Sequence, residues 1–357
     1  MKILNFGSLN IDYVYQVDHM VKRGETLSSG GRAVFTGGKG LNQSIALARA
    51  GLPVWHAGNV GRDGDLLLKE LKDSGVDTSL VRVLSDQPSG HTVIQNDKEG
   101  DNCILLYGGA NQAVTEEEVD AVLSHFSAGD WLVLQNEINE LPYIIRRAKD
   151  KGMRIVLNPS PMNEKILDLP LEDIELFFIN EIEAVQLIQG LEEKTEQKVT
   201  RRKTDMDRYF SETDGPDWKK IRLALLDLLP KGHFVLTMGS FGAVYFSKEE
   251  ALYQPAEKVK AVDTTAAGDT FTGYFLAGIL GAGEKRTIDK DNIVARETSR
   301  ETSKDWNSSE ESMDQDVYAP DRIQNSLALA SHAAAIAVTR HGAAPSIPSL
   351  KEVETGI

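Results

Sequence analysis

A mostly parallel α/β sheet covered on both faces, with a small second sheet projecting from it, is the fold class predicted by this 357-residue sequence. Two patterns predict it. Short apolar runs alternate with amphipathic helical runs over most of the length, as strand–helix–strand units of a parallel sheet require. Two stretches, residues 13–35 and 91–106, break that rhythm with strand-like alternation around Gly24, Gly30, Gly31 and Gly100 and no helix between their halves. They predict hairpins that leave the main sheet as a lid able to exclude water from a site beneath.

The elements follow in order. The first strand is read at Ile3–Phe6, an apolar run ending in Gly7, and the first helix at Leu41–Ala50 after a glycine cluster. Strand Val54–Ala57 and helix Leu66–Ser74 come next, then helix Glu116–His125, strand Trp131–Leu134, helix Leu141–Lys151 and strand Arg154–Leu157. Strand Leu176–Ile179 leads into helix Glu181–Gln189, and helix Trp218–Leu228 into strand His233–Met238. An apolar helical run begins at Asp269 (Phe271, Phe275, Leu276, Ile279), and a small-residue helix carries His332 to Thr339. Two polar stretches, 191–217 and 283–320, hold too few apolar residues for a core and are expected as surface insertions. In sheets of this kind ligands bind beyond the carboxyl ends of the strands.

Bulk composition narrows the function classes. A formal charge of −15 argues against a nucleic-acid or anionic-membrane surface. The lone Cys103 excludes an intrachain disulfide and fits a reducing compartment. No apolar stretch reaches membrane-span length and the N-terminus lacks a cleavage pattern, so a cytoplasmic protein is expected. His-Glu-x-x-His, Gly-x-Ser-x-Gly and protein-kinase catalytic-loop motifs are absent.

Residues 263–273, Asp-Thr-Thr-Ala-Ala-Gly-Asp-Thr-Phe-Thr-Gly, carry the most chemistry. A helix entered through Ala266-Ala267-Gly268 leaves backbone N–H groups unpaired and barely screened, which favours an anion and phosphate above all. Asp269 in that turn puts a proton acceptor beside the anion cradle, a pairing suited to phosphoryl transfer onto a hydroxyl. A capping charge alone would explain the same letters.

Other clusters follow strand ends. Asn10 and Asp12, two apart, would share one strand face and offer hydrogen bonds to neighbouring sugar hydroxyls, unless they form an Asx-turn. Thr36-Gly37-Gly38-Lys39-Gly40-Leu41-Asn42-Gln43 brings backbone close to a ligand, yet it is neither a Walker A loop nor a dinucleotide fingerprint. Lys39 there is either a ligand group or a solvated lysine. Glu137 follows one strand, and Asn180-Glu181-Ile182-Glu183 begins a helix after another. Glu183 is either a holder of water around a nucleotide-bound Mg²⁺ or a first-turn glutamate. Thr237-Met238-Gly239-Ser240-Phe241-Gly242 is either a phosphate-lining loop or a hairpin turn into Ala243–Phe246, and His332 either a ligand group or a helix-face histidine.

Together these residues resemble the ribokinase family of carbohydrate kinases, from Gly7 to about Pro348 with the two insertions outside. The first family signature is met by Gly37-Gly38-Lys39-Gly40, Asn42, Ser44, Gly51 and Gly61; the second runs from Asp263 to Gly273 and departs at Tyr274, where the family has Ala or Gly. The resemblance implies a single three-layer α/β/α ribokinase-like domain over 1–357. It implies transfer of a phosphoryl group from ATP to the 5-hydroxyl of D-ribose, with Asp269 as general base and Ala266, Ala267 and Gly268 as anion hole. Another furanose or a nucleoside (fructose, adenosine, pseudouridine) is the alternative acceptor, and a non-catalytic sugar-binding regulator the alternative class. The matching sugar positions are Asn10, Asp12, Gly38, Lys39, Asn42 and Glu137. The nucleotide positions are Asn180, Thr237, Met238, Gly239, Ser240, Phe241, Gly242, Gly268 and His332, with Glu183 associated with Mg²⁺. A monovalent cation, K⁺, is implied at Asp263, Thr265, Ala337, Arg340, Gly342 and Ser346. A homodimer joined through the lids is implied as well, since open sheet edges invite pairing.

Overall fold

The computed structural model describes residues 1–195, 209–211, 215–281 and 317–356. Strand β1 (Ile3–Phe6) opens the central sheet, and β2 (Asn10–Gln16) and β3 (Gly31–Gly37) leave it for a second sheet. Helix α1 (Lys39–Arg49) returns to β4 (Val54–Val60), and α2 (Asp65–Asp73) leads to β5 (Asp77–Val83). The hairpin β6 (Gly90–Asn96) and β7 (Asn102–Tyr107) completes the second sheet. Then come α3 (Glu116–Leu123), β8 (Trp131–Gln135), α4 (Leu141–Asp150), β9 (Arg154–Asn158), β10 (Leu176–Asn180) and α5 (Glu181–Thr195). A short ribbon, β11 (Phe210–Ser211) with β12 (Gly215–Pro216), precedes α6 (Trp218–Leu228) and β13 (His233–Thr237). Strands β14 (Ala243–Phe246) and β15 (Ala251–Gln254) and helices α7 (Ala267–Ile279), α8 (Pro320–Val338) and α9 (Leu350–Thr355) finish the chain.

The nine-stranded central sheet has the order β15-β14-β13-β10-β9-β8-β1-β4-β5. From β13 to β5 every pairing is parallel, while β14 and β15 add an antiparallel edge. Chain order grows outward from β1 toward β5 on one side and then toward β13 on the other. The switch lies between β1 and β8, and in sheets of this kind ligands bind beyond the carboxyl ends of the strands at that point. The second sheet has the order β3-β2-β6-β7, with β2 and β6 parallel inside two antiparallel pairs.

Alternation along the strands builds two cores. Trp131 and Val133 of β8, Val156 of β9 and Leu176 and Phe178 of β10 pack with α1, α2, α7 and α8. Leu132 and Leu134, Ile155 and Leu157, and Phe177 and Ile179 pack on the opposite face with α3, α4, α5 and α6. The expected strands at residues 3, 54, 131, 154, 176 and 233 are all in this sheet. Strand β1, however, does not continue into Asn10. The chain breaks at Gly7-Ser8-Leu9, and Asn10 and Asp12 sit on one face of β2 instead.

Most of the expected insertions at 191–217 and 283–320 lies outside the described residues. Their ends do more than cover surface. Tyr209 is fully buried, and Tyr318 stacks on His233 at 3.9 Å while its hydroxyl donates to Glu175 at 2.9 Å. Tyr274, the departure from the second signature, is also fully buried, and its hydroxyl donates to the Pro348 carbonyl at 2.8 Å.

Helices α1 and α7 meet backbone to backbone. A Cβ placed on Gly273 would lie 2.5 Å from Ala46 Cβ and 2.7 Å from its carbonyl carbon, so only glycine permits this approach. Gly273→Ala is therefore expected to lower unfolding free energy by about 1–3 kcal/mol in urea titrations, despite alanine's better helix propensity.

Candidate active site

The cleft is built on the N-terminus of α1. Gly38 caps it with φ 93°, a left-handed-side conformation that glycine alone adopts without strain. Gly40 lies so close to the turn after β1 that an added Cβ would sit 2.3 Å from the Ser8 nitrogen. Leu41 N–H donates to Ser8 O at 2.9 Å, which straps the helix to that turn. Glu137, just past β8, accepts from Lys39 N–H at 2.8 Å and from the Ser8 hydroxyl with the same Oε2. Asn10 is fixed from the side, its Oδ1 accepting from Asn111 Nδ2 at 2.7 Å. Asp12 accepts from the Thr92 hydroxyl at 2.6 Å and fills the space beside Gly37, where a Cβ would be 2.0 Å from its Oδ2.

Helix α7 brings its N-terminus to the same place. Ala266 adopts φ 61°, ψ 9°, a conformation costing roughly 1–2 kcal/mol for a residue with a Cβ. That turn aims the following amides outward. Ala267 N–H is held by Thr264 O at 3.2 Å, but the amides of Gly268 and Asp269 meet no acceptor among the described residues. Gly268 is exposed, and a Cβ there would touch nothing within 4 Å. Asp269 is 6% exposed; its Oδ2 accepts from Asn42 Nδ2 at 3.2 Å and its Oδ1 from Gln43 Nε2 at 2.9 Å. Asn42 Oδ1 is buried without a partner among the described residues.

The charges are coupled. Burial pulls the Lys39 ammonium down, but the carboxylates of Asp269, Glu137 and Glu183 outweigh it and hold the pKa above its ordinary value. Burial pushes Glu137 up against its hydrogen bonds from Ser8 and Lys39. Burial likewise raises Asp12, opposed by the Thr92 hydroxyl and aided by the charge of Glu137. One ammonium thus stands among Asp269, Glu137 and Glu183.

A second group of residues lies along the neighbouring strand ends. Asn180 and Thr237 are paired in register at the ends of β10 and β13. Asn180 Oδ1 accepts from Glu183 N–H at 2.8 Å and Asn180 N–H donates to Glu183 Oε2 at 3.2 Å, a reciprocal cap on α5. Residues Met238 to Gly242 form the tight connection of the β13–β14 hairpin, with Gly239 at φ 52°, Gly242 at φ 89° and Phe241 exposed at the tip. His332 pairs with Glu257 at 2.9 Å. Next to the α7 entrance, Asp263 accepts from Thr265 N–H at 2.9 Å with Oδ1 and from Gly342 N–H at 2.9 Å with Oδ2. Its own N–H and that of Val262 donate to Val338 O, and Arg340 N–H donates to Ala337 O at 3.0 Å. Ser346 is fully buried, its hydroxyl on Ala343 O at 2.8 Å.

Residues 1–290 match the model of the pfkB family carbohydrate kinases. The chain belongs to that family. The kinase is 30% identical over 358 residues to the ribokinase of Staphylococcus aureus, covering 99% of this chain and 98% of the relative. Among solved structures it resembles ribokinase from Cryptococcus neoformans in complex with ADP, with a TM-score of 0.72, 26% identity and coverage of 100% and 99%. It also resembles Arabidopsis thaliana ribokinase complexed with ribose and ATP, with a TM-score of 0.72, 25% identity and coverage of 99% and 98%. The mostly parallel nine-stranded sheet and the smaller second sheet agree with the fold class expected from the sequence, and these neighbours have the ribokinase fold. Among the described residues of the kinase, no helix is long and apolar enough to cross a membrane.

Sequence reasoning passed over several residues that build the kinase's cleft. Ser8, Thr92 and Asn111 orient Glu137, Asp12 and Asn10, and Gln43 touches Asp269 directly. Their partners lie 80 to 226 positions away, so no local spacing announces them. His56 is likewise unannounced: it is fully buried, 2.7 Å from Ser44 Oγ through Nδ1, and burial holds its imidazole down to about 4. The unfolded chain takes up that proton first, near its ordinary value of 6.5. Stability is therefore fully present above that value and is lost as pH falls from it through about 4, by on the order of 3 kcal/mol. Denaturant unfolding of the native protein and of His56→Gln across this range should show the added slope only in the native protein.

Proposed function

We propose that this kinase transfers the γ-phosphoryl group of ATP to the 5-hydroxyl of D-ribose, giving D-ribose 5-phosphate. The observation that carries the reading is Asp269, a buried carboxylate next to two helix-entrance amides that meet no acceptor among the described residues. Asp269 accepts the proton of the attacking hydroxyl, and the turn Ala266–Gly268 receives the charge of the phosphoryl oxygens through the amides of Gly268 and Asp269. Positioning carries much of the remaining rate, because the transferring group already holds dispersed negative charge.

The sugar lies over Asn10, Asp12, Gly38, Lys39, Asn42 and Glu137. The reading is supported by the free acceptor at Asn42 Oδ1, which a sugar hydroxyl would satisfy. ATP lies along Asn180, the turn Thr237–Gly242 (Met238, Gly239, Ser240, Phe241) and His332. Mg²⁺ neutralises phosphate charge when bound; Glu183, buried beside the cleft with one oxygen on Asn180 N–H, is the residue suited to holding its waters. K⁺ suits the oxygen-rich loops at Asp263, Thr265, Ala337, Arg340, Gly342 and Ser346, where both Asp263 oxygens already tie one loop to the other. Held by those residues, the ion would order the anion-hole turn without touching substrate.

The second sheet acts as the lid and, in this reading, as the dimer contact. Strand β7 is an open edge that exposes Ile104, Leu105, Leu106 and Tyr107, a surface that pairing would cover. A single exposed cysteine, Cys103, agrees with a cytoplasmic setting.

Two measurements test the proposal. Asp269→Asn should bind ribose within a few-fold of native yet turn over at least about 100-fold more slowly, and near-native turnover would refute the base assignment. In a coupled ADP-release assay with Mg²⁺ and K⁺, ribose should exceed fructose, adenosine and pseudouridine in kcat/KM by about 100-fold or more. A preference for another of these replaces ribose as the acceptor, and binding without ADP formation removes the enzyme reading. Omitting K⁺ should lower turnover.

A further inference from the structure

We propose that Gln43 is a positioning residue for Asp269, and that two backbone carbonyls, those of Gly40 and Phe178, dictate which end of its amide the carboxylate meets. The proposal rests on the reading of Asp269 as the base.

An amide side chain presents N–H from one end and a carbonyl oxygen from the other, and the hydrogen-bond network decides which. Gln43 presents Nε2 to Asp269 Oδ1 at 2.9 Å. Reversed, it would set a carbonyl oxygen against the carboxylate, and a repulsive contact would push the carboxylate off its aim. The first constraint starts at a peptide oxygen that cannot flip. Asn5 Nδ2 donates to Gly40 O at 2.7 Å and to Ser44 Oγ at 2.8 Å, so Asn5 Oδ1 must face the other way. Ser44 then turns its own proton toward His56 Nδ1 at 2.7 Å, which a neutral His56 accepts. Asn5 Oδ1 takes a hydrogen bond from Gln135 Nε2 at 3.0 Å, and the same Nε2 donates to Gln43 Oε1 at 2.6 Å. With Oε1 claimed, Gln43 has only Nε2 left for Asp269.

The second constraint arrives from the opposite strand. Asn158 Nδ2 donates to Phe178 O at 2.8 Å, which leaves Asn158 Oδ1 as an acceptor for Gln43 Nε2 at 3.2 Å. Two independent carbonyls therefore demand the same orientation of one amide. Asn42, the adjacent residue, donates Nδ2 to the other carboxylate oxygen, Oδ2, at 3.2 Å, so the Asp269 plane is held at both ends. The charges facing it are Lys39 on the same helix, and Glu137 from beyond β8.

The experiment compares Gln43→Met, Gln43→Glu and the double variant Gln135→Met with Asn158→Leu against native protein and Asp269→Asn. Thermal melting and near-ultraviolet circular dichroism first establish folding. Gln43→Met should lower kcat about 10-fold, with the sugar KM within about 3-fold, because one donor to a charged acceptor is lost. The acid limb of its kcat/KM profile should lie at higher pH than that of the native protein, and that of Gln43→Glu higher still, since two carboxylates then share the site. Loss of packing alone would not move that limb. Unchanged kcat and acid limb in both Gln43 variants, with Asp269→Asn inactive, overturn the positioning role and leave the base in place. Turnover retained in Asp269→Asn overturns the base and this proposal with it. If the Gln43 variants do not fold, Gln135→Met combined with Asn158→Leu decides, because either anchor alone orients the amide: a kcat loss of about 3-fold with the limb moved to higher pH supports the relay, and a native profile overturns it.

Discussion

The cleft depends on how closely two helices approach. Gly273 lies one turn beyond Asp269 on α7, and Ala46 lies one turn beyond Asn42 on α1, each pair on one helix face. The contact of Gly273 with Ala46 therefore sets the distance between Asp269 and the two amides it touches. A larger residue at either point would move the Asp269 carboxylate, although neither side chain lies in the proposed reaction. The contact also lays two helix entrances side by side, so two positive dipole ends meet in one crevice. Mutual repulsion of those ends is offset by Asp269 at one entrance and by Glu137, held on Lys39 N–H, at the other. An anionic phosphoryl group entering there would meet donors already aimed and already held by the fold.

The same crowding defines the electrostatics. Lys39 is held charged by three carboxylates, while burial drives Glu137 and Asp12 toward protonation. A nucleotide polyphosphate would add several negative charges to a cleft whose side chains include more acids than bases, in a chain of net charge −15. Backbone amides and one ammonium do not neutralise that load. Within the proposed reaction, a divalent cation would answer that charge imbalance, and the buried Glu183 beside the cleft would supply a counter-charge for it.

Legibility followed burial. Strands β1, β8, β9, β10 and β13 are buried on both faces, so their apolar runs stand out in the sequence, as does the Ala-Ala-Gly-Asp entrance to α7. Strand β5 did not stand out. It is a half-exposed edge beginning Asp77-Thr78-Ser79, whose letters match a loop as well as a strand. The letters of Met238–Gly242 fit a phosphate-lining loop and a hairpin turn equally, and the β13–β14 hairpin is present whatever ligand lies beside it. Glycines at 37, 38 and 40 announced a close approach of backbone, but not that Asp12 and Ser8 occupy the room they leave. The contacts that join Asn5, Gln43, Gln135 and Asn158 carry no local signal, because an interior amide on a strand or helix reads as ordinary polar surface until its neighbours are known.

That amide network also explains a cost the fold accepts. Gln135 Oε1 is buried without a partner among the described residues, packed where a Cβ on Gly7 would lie 2.3 Å from it. An orphaned buried acceptor costs roughly 1–3 kcal/mol. Turning Gln135 over would not recover it, since its oxygen would then face Asn5 Oδ1 and Gln43 Oε1 together. An apolar residue at this position would avoid the cost and pack as well against the sheet, but Gln43 would lose the donor that holds its oxygen away from Asp269. Asn42 Oδ1 is orphaned in the same way, with the difference that its own amide nitrogen already touches Asp269, where a hydroxyl can satisfy it. In the proposed reaction a sugar hydroxyl meets the one oxygen, while the other has no partner among the described residues. The second makes sense only as the consequence of aiming a donor at the carboxylate.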